Sequence, residues 1–146
     1  MPFKSYALKG GVVHKVFGKF NNDECLMMLQ NGWLKTNWKN IKFAIYIIDN
    51  EAQIELTDEQ IDLINTLQKN AKVDKGHNHP SAFYCDNPKS FDRIYRLVSG
   101  SHQLGNTKVK IFDRIEELSL FTGAPRKALQ DLITPDDQTE HFAIPL

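Results

Sequence analysis

Between Ser81 and Val98 the chain reads SAFYCDNPKSFDRIYRLV. This is an apolar run of strand length, a polar corner with a proline, and an amphipathic helix. Ala82, Phe83, Tyr84 and Cys85 offer no polar face, which suits a strand covered on both sides and so an interior position in a sheet. Asp86 and Asn87 favour caps and turns because their short side chains bond nearby backbone N–H groups, and Pro88 fits the first helical turn, where a missing N–H costs nothing. A helix is therefore predicted from Pro88 to about Gly105. Phe91, Ile94, Tyr95 and Val98 follow at i, i+3, i+4 and i+7 and are expected to pack on the sheet, with Lys89, Asp92, Arg93 and Arg96 facing elsewhere.

A second strand, Phe43 to Ile48 (FAIYII), is the most apolar in the chain and belongs at the sheet's centre. It runs out into Asp49, Asn50 and Glu51. After a loop, Thr57-Asp58-Glu59-Gln60 has the form of a capping box that opens a helix carrying Ile61, Ile64 and Leu67 inward and fading near Asn70. The polar stretch from Ala71 to His79 reads as a surface loop.

Upstream, Phe3 to Leu8 and Val12 to Phe17 flank Lys9, Gly10 and Gly11, a pattern that predicts an antiparallel pair joined by a tight glycine turn. Asn21 and Asn22 can cap a helix reaching about Trp38, with Cys25, Met28, Leu29, Gly32 and Trp33 at helical spacing and read as core. Downstream, Lys108 to Phe112 alternates polar and apolar as a half-covered strand does. Asp113 is the expected cap of a helix from Arg114 to Thr122, ended by Gly123. A last helix, Pro125 to Ile133, follows with Ala128, Leu129, Leu132 and Ile133 on one side, before a stop at Pro135, Asp136 and Asp137 and a tail. That apolar side either packs on the same domain or joins a second copy, so a homodimer is one expectation.

The order β-β-α-β-α-β-α-β-α plus a C-terminal helix predicts an α/β domain with a mixed, mostly parallel sheet of about five strands. Residues 1–122 form the main unit, and 123–146 add a helix and tail to it. At 146 residues and 41% apolar, with nine phenylalanines and two tryptophans, the chain can bury one core. Eighteen basic and eighteen acidic residues cancel, which argues against a broad electrostatic grip on nucleic acid. Two cysteines, Cys25 and Cys85, are too few for a disulfide framework. With no transmembrane-length run and no leader, the expected location is the cytoplasm.

Chemistry is sparse. There is no glycine-rich phosphate loop, nucleophile elbow or two-histidine helix motif. His77 and His79 stand two apart but lack a third ligand of suitable spacing, so no metal or cofactor is expected and the pair reads as solvated. The residues to watch are Asp49, Asn50, Thr57, Asp86 and Asn87, because parallel strands bring their carboxyl ends, and the polar groups just beyond them, to one edge where α/β domains bind ligands. Cys85, without a histidine partner, reads as a buried thiol.

Three stretches, VVHKVFGKFNNDE, SAFYCDNPKSFDRIYRLV and VKIFDRIEEL, taken with the element order over most of Tyr6 to Thr122, resemble the STAS-like (SpoIIAA-like) proteins. These are related in fold to anti-sigma-factor antagonists and to Sec14-type lipid-binding domains. The resemblance implies a non-enzymatic module that binds a protein partner or a small apolar ligand in a regulatory or accessory role. A lipid carrier, or a small enzyme at the carboxyl edge of the sheet, is the alternative. The antagonists' phosphorylated segment matches Asp49 to Thr57, where the Asp-Ser-Ser-Gly-like run is absent. Thr57 is the only hydroxyl there, and its capping box already accounts for it.

Overall fold

A computed structural model describes residues 2–35, 41–75, 79–133 and 144–145. The expectations for Trp38, His77 and the stop at 135–137 lie outside these residues, and the side chain of Trp33 is likewise not described. The strands are β1 (Phe3–Leu8), β2 (Gly11–Val16), β3 (Lys19–Asn21), β4 (Phe43–Ile48), β5 (Gln53–Glu55), β6 (Ser81–Cys85), β7 (Val109–Phe112) and β8 (Ile144–Pro145). The helices are α1 (Asn22–Lys35), α2 (Asp58–Lys75), α3 (Pro88–Gln103), α4 (Ile115–Thr122) and α5 (Arg126–Ile133). Among the described residues, no helix is long and apolar enough to cross a membrane.

The domain is α/β around a six-stranded mixed sheet in the order β7-β6-β4-β2-β1-β8. β1 and β2 pair antiparallel, while β2, β4, β6 and β7 run parallel. The hairpin turn needs Gly10, whose φ is +92°. Gly11 answers a different demand: a Cβ there would sit 2.5 Å from the Phe43 ring and carbonyl oxygen, so β2 reaches β4 only without a side chain. Two features exceed the expected five strands. β8 emerges from the tail to pair with Tyr6 and Ala7, and β3 pairs with β5 in a separate parallel ribbon beyond the ends of β2 and β4.

Strand position advances in one direction from β2 through β4 and β6 to β7, and crossovers of a single hand then place every intervening helix on one face. α1, α2 and α3 accordingly share a core with the sheet through Met28, Leu29, Ile61, Ile64, Ile94 and Leu97. α4 and α5 cover the other face, where Leu118, Ala128, Leu129 and Leu132 meet Val13, Ile45 and Ile47. The apolar side of α5 thus packs on its own domain.

α2 continues through residues 71–75, a stretch whose polarity points to a loop. Polarity alone does not break a helix, and no glycine or proline occurs before Gly76. On α3 the buried face is Ser90, Ile94, Leu97, Val98 and Ser101, which corrects the predicted stripe: Phe91 and Tyr95 are 37% and 57% exposed. α4 starts at Ile115 with Arg114 in the cap position and no side-chain cap bond, so Asp113 is not its cap.

One row of side chains crosses the sheet beneath the first helical layer. Ser5 stands opposite His14, His14 opposite Tyr46 and Tyr46 opposite Phe83. The Tyr46 ring stacks on His14 at 5.3 Å and on Phe83 at 4.6 Å. Ser5 Oγ and His14 Nδ1 share a 2.7 Å hydrogen bond. Burial lowers the His14 pKa from 6.5 to about 4, so the ring is neutral at pH 7.

Candidate functional site

The parallel strands β4 and β6 deliver Asp49 and Asp86 to the same edge. Just past β4 the chain turns tightly: Asp49 Oδ2 accepts the Glu51 N–H at 3.0 Å, and the Ala52 N–H donates to the Asp49 carbonyl at 3.0 Å. Asn87 ties this turn to α3. Its Oδ1 accepts the Lys89 N–H at 2.9 Å, the N-cap bond of the helix, while Nδ2 donates to the carbonyls of Ala52 (3.1 Å) and Asp49 (3.4 Å) and to Ser90 Oγ (3.3 Å). The orientation of the amide follows from its partners, since only the oxygen can face an N–H and only the nitrogen can face carbonyls. Ser90 Oγ adds a 2.9 Å bond to the Ala52 carbonyl. Asn87 and Ser90 are buried, and their polar groups serve to join elements.

Beside this knot opens a cleft of about 370 Å³, lined by Cys85, Asp86, Asn87, Pro88, Phe91, Asp92 and Asp113. Its three aspartates are exposed. The corner is electronegative, and Tyr84 registers it: its phenol is held above the ordinary range first by burial and then by Asp86, Asp113 and Glu116. The Cys85 thiol is buried and donates to the Asn87 carbonyl at 3.5 Å; burial chiefly raises its pKa and keeps it protonated. Among the described residues, no histidine lines the cleft to activate it. Among the described residues, no three His, Cys, Asp or Glu side chains converge closely enough to hold a metal ion.

The two flanks of α3 are set by helical geometry. Arg93 and Arg96 lean toward α2, where Arg93 Nη1 meets Asp58 at 2.6 Å and Arg96 Nη2 meets Asp62 at 3.4 Å. Each residue advances around the helix by about 100°, so Phe91 and Tyr95, at i and i+4, share the flank opposite the arginines. Between the flanks, Ile94 and Leu97 are buried against the sheet. Phe91 and Tyr95 stay exposed, and their rings stack at 6.1 Å between centroids. His102, farther along α3, bonds the Val109 carbonyl and so holds that end of the helix over β7.

Of the residues singled out from sequence, Asp49 and Asn87 meet directly. Asp49, Asn50 and Asp86 share a second, narrow crevice of about 30 Å³ with Tyr84 and Ile133. Thr57 lines neither opening. Its N–H donates to Gln60 Oε1 at 2.9 Å and its Oγ1 accepts the Gln60 N–H at 3.2 Å, the capping box read from sequence. Thr57→Ala is expected to cost about 1 kcal/mol in urea unfolding; an unchanged midpoint would show that the box contributes nothing. Sequence reasoning misses Phe91, Asp92 and Asp113 as site residues. In the sequence Asp113 has the look of a cap and Phe91 that of core, and only the exposure of the α3 flank distinguishes these roles. His79, expected to be solvated, is buried at the entrance to β6. Comparison with protein-family models, with curated proteins and with solved structures finds no match to this chain.

Proposed function

We propose that this chain is a non-enzymatic, STAS-like α/β module that docks a protein partner at the β6–α3 corner, in a regulatory or accessory role. The observation that carries the reading is the exposed, stacked pair Phe91 and Tyr95 beside an open cleft. Two adjacent, stacked aromatic rings partly exposed beside an open cleft form a contiguous apolar flank, which supports a surface that another molecule covers. The run of parallel strands with an antiparallel β1 supports the STAS-like part of the reading.

The alternatives draw less support. Asp49, Asn87 and Ser90 at the carboxyl edge are engaged in caps and turns, and the Cys85 thiol beside them is buried, which leaves an enzyme little to work with. The apolar void between the sheet and α1–α3 measures about 30 Å³, and an acyl chain would enter only if helices left the sheet.

The test is affinity capture from the native host with three baits: wild type, Phe91→Ser/Tyr95→Ser, and Leu120→Ser. Leu120 is 86% exposed on α4 and serves as the control. A protein retained by wild type and by the Leu120 variant, and lost from the aromatic variant at unchanged thermal stability, is the expected result. Equal retention by all three baits would remove α3 as the docking surface.

A further inference from the structure

Resting on the docking reading above, we infer that the cleft receives an arginine side chain carried by an apolar segment of the protein partner. Charge complementarity points to a cation. Asp86, Asp92 and Asp113 line the opening with no lysine or arginine among the described residues that line it, in a chain whose formal net charge is zero. The sequence neighbours Lys89 and Arg114 do not line it.

The form of the cation follows from further observations. Among the described residues no three carboxylates are placed to share one ion, and three separated charges around an open cleft suit a cation whose charge is spread over a larger group. Phe91 lends an aromatic surface to the wall, and a planar guanidinium stacks on such a ring while forking onto carboxylates, whereas a lysine ammonium acts as a point charge. The cleft, at about 370 Å³, has room for a side chain with its attached backbone. Finally, Tyr95 continues the apolar flank beyond the cleft, so the cation arrives attached to something that covers the helix as well. A protein segment does both; a free small cation covers only the cleft.

The experiment is an amide-resolved NMR titration of the whole chain with acetyl-Gly-Leu-Arg-Phe-Gly-amide and with the same peptide carrying citrulline in place of arginine. Citrulline keeps the shape and removes the charge. The arginine peptide is expected to shift the amides of Asp86, Lys89, Phe91, Asp92 and Asp113, and to bind at least about tenfold more tightly than the citrulline peptide. Asp86→Asn/Asp113→Asn should remove most of that difference, while Phe91→Ser/Tyr95→Ser weakens both peptides. Both aspartates are exposed, so folding is not at stake. Equal affinity of the two peptides at this corner would overturn the arginine inference while leaving the docking surface in place. Shifts confined to another face, or none at millimolar peptide, would also overturn it. The capture experiment, whose readout does not involve arginine, separately decides the docking reading.

Discussion

Replacing Asn87 with alanine is expected to lower the unfolding free energy by about 2 kcal/mol, combining a lost helix cap with the loss of one of two donors at each of two carbonyls, Asp49 keeping the Ala52 N–H and Ala52 keeping the Ser90 hydroxyl. The two parts separate by substitution. Asn87→Ser keeps an oxygen for the Lys89 N–H but cannot reach the turn at Asp49 and Ala52, so it should recover only the capping share of about 1 kcal/mol. Asn87→Asp keeps the cap and turns a carboxylate oxygen toward two carbonyls, and is expected to be at least as unstable as the alanine variant at neutral pH. Urea unfolding of the three variants supplies the comparison. An aspartate variant as stable as wild type would mean that the amide bridge between the β4–β5 turn and α3 contributes nothing.

The second large effect is an acid-side loss of stability set by His14. The folded pKa, about 4, lies below the unfolded value of 6.5, so the unfolded chain takes up the proton first. Stability from this residue is complete above pH 6.5, falls as the pH drops toward 4, and levels off once the folded ring is protonated too. The loss amounts to about 3 kcal/mol. Asp58, held below its ordinary value first by its hydrogen bond to Arg93 and then by the charge of Arg96, contributes in the same direction but mainly below that window. Unfolding midpoints between pH 7 and 4 for wild type and His14→Phe give the test. The variant keeps a ring to stack on Tyr46 and has nothing to titrate, so its profile should be flatter; parallel profiles would exclude His14 as the source.

Much of the framework is legible because its signals are local. Thr57 and Gln60 announce a helix start within four residues, and FAIYII and SAFYC announce interior strands without reference to anything distant. Asn87 is recognisable as a cap for the same reason. What its amide nitrogen holds is not, since Asp49 and Ala52 come close only once β4 and β6 lie side by side. Hydropathy misleads on the face of α3: Ser90 counts as polar in a sequence, yet with its hydroxyl on the Ala52 carbonyl it belongs to the core. Phe91 and Tyr95 count as apolar, yet they remain outside. The same error hides the candidate site, whose defining trait is an apolar pair left exposed. β3 and β5 are three residues each, too short to carry a pattern, and their partners lie far apart in the chain.

That small ribbon also bears on how the first crossover is held. Lys19–Asn21 pairs with Gln53–Glu55 across the same crossover that sets β4 beside β2, so the two pairings close nearly the same loop and the ribbon adds little further closure entropy. The ribbon is then a clasp on the first crossover, from β2 through α1 to β4: it ties the exits of those two strands together and so anchors the far end of the turn that carries Asp49 and Ala52.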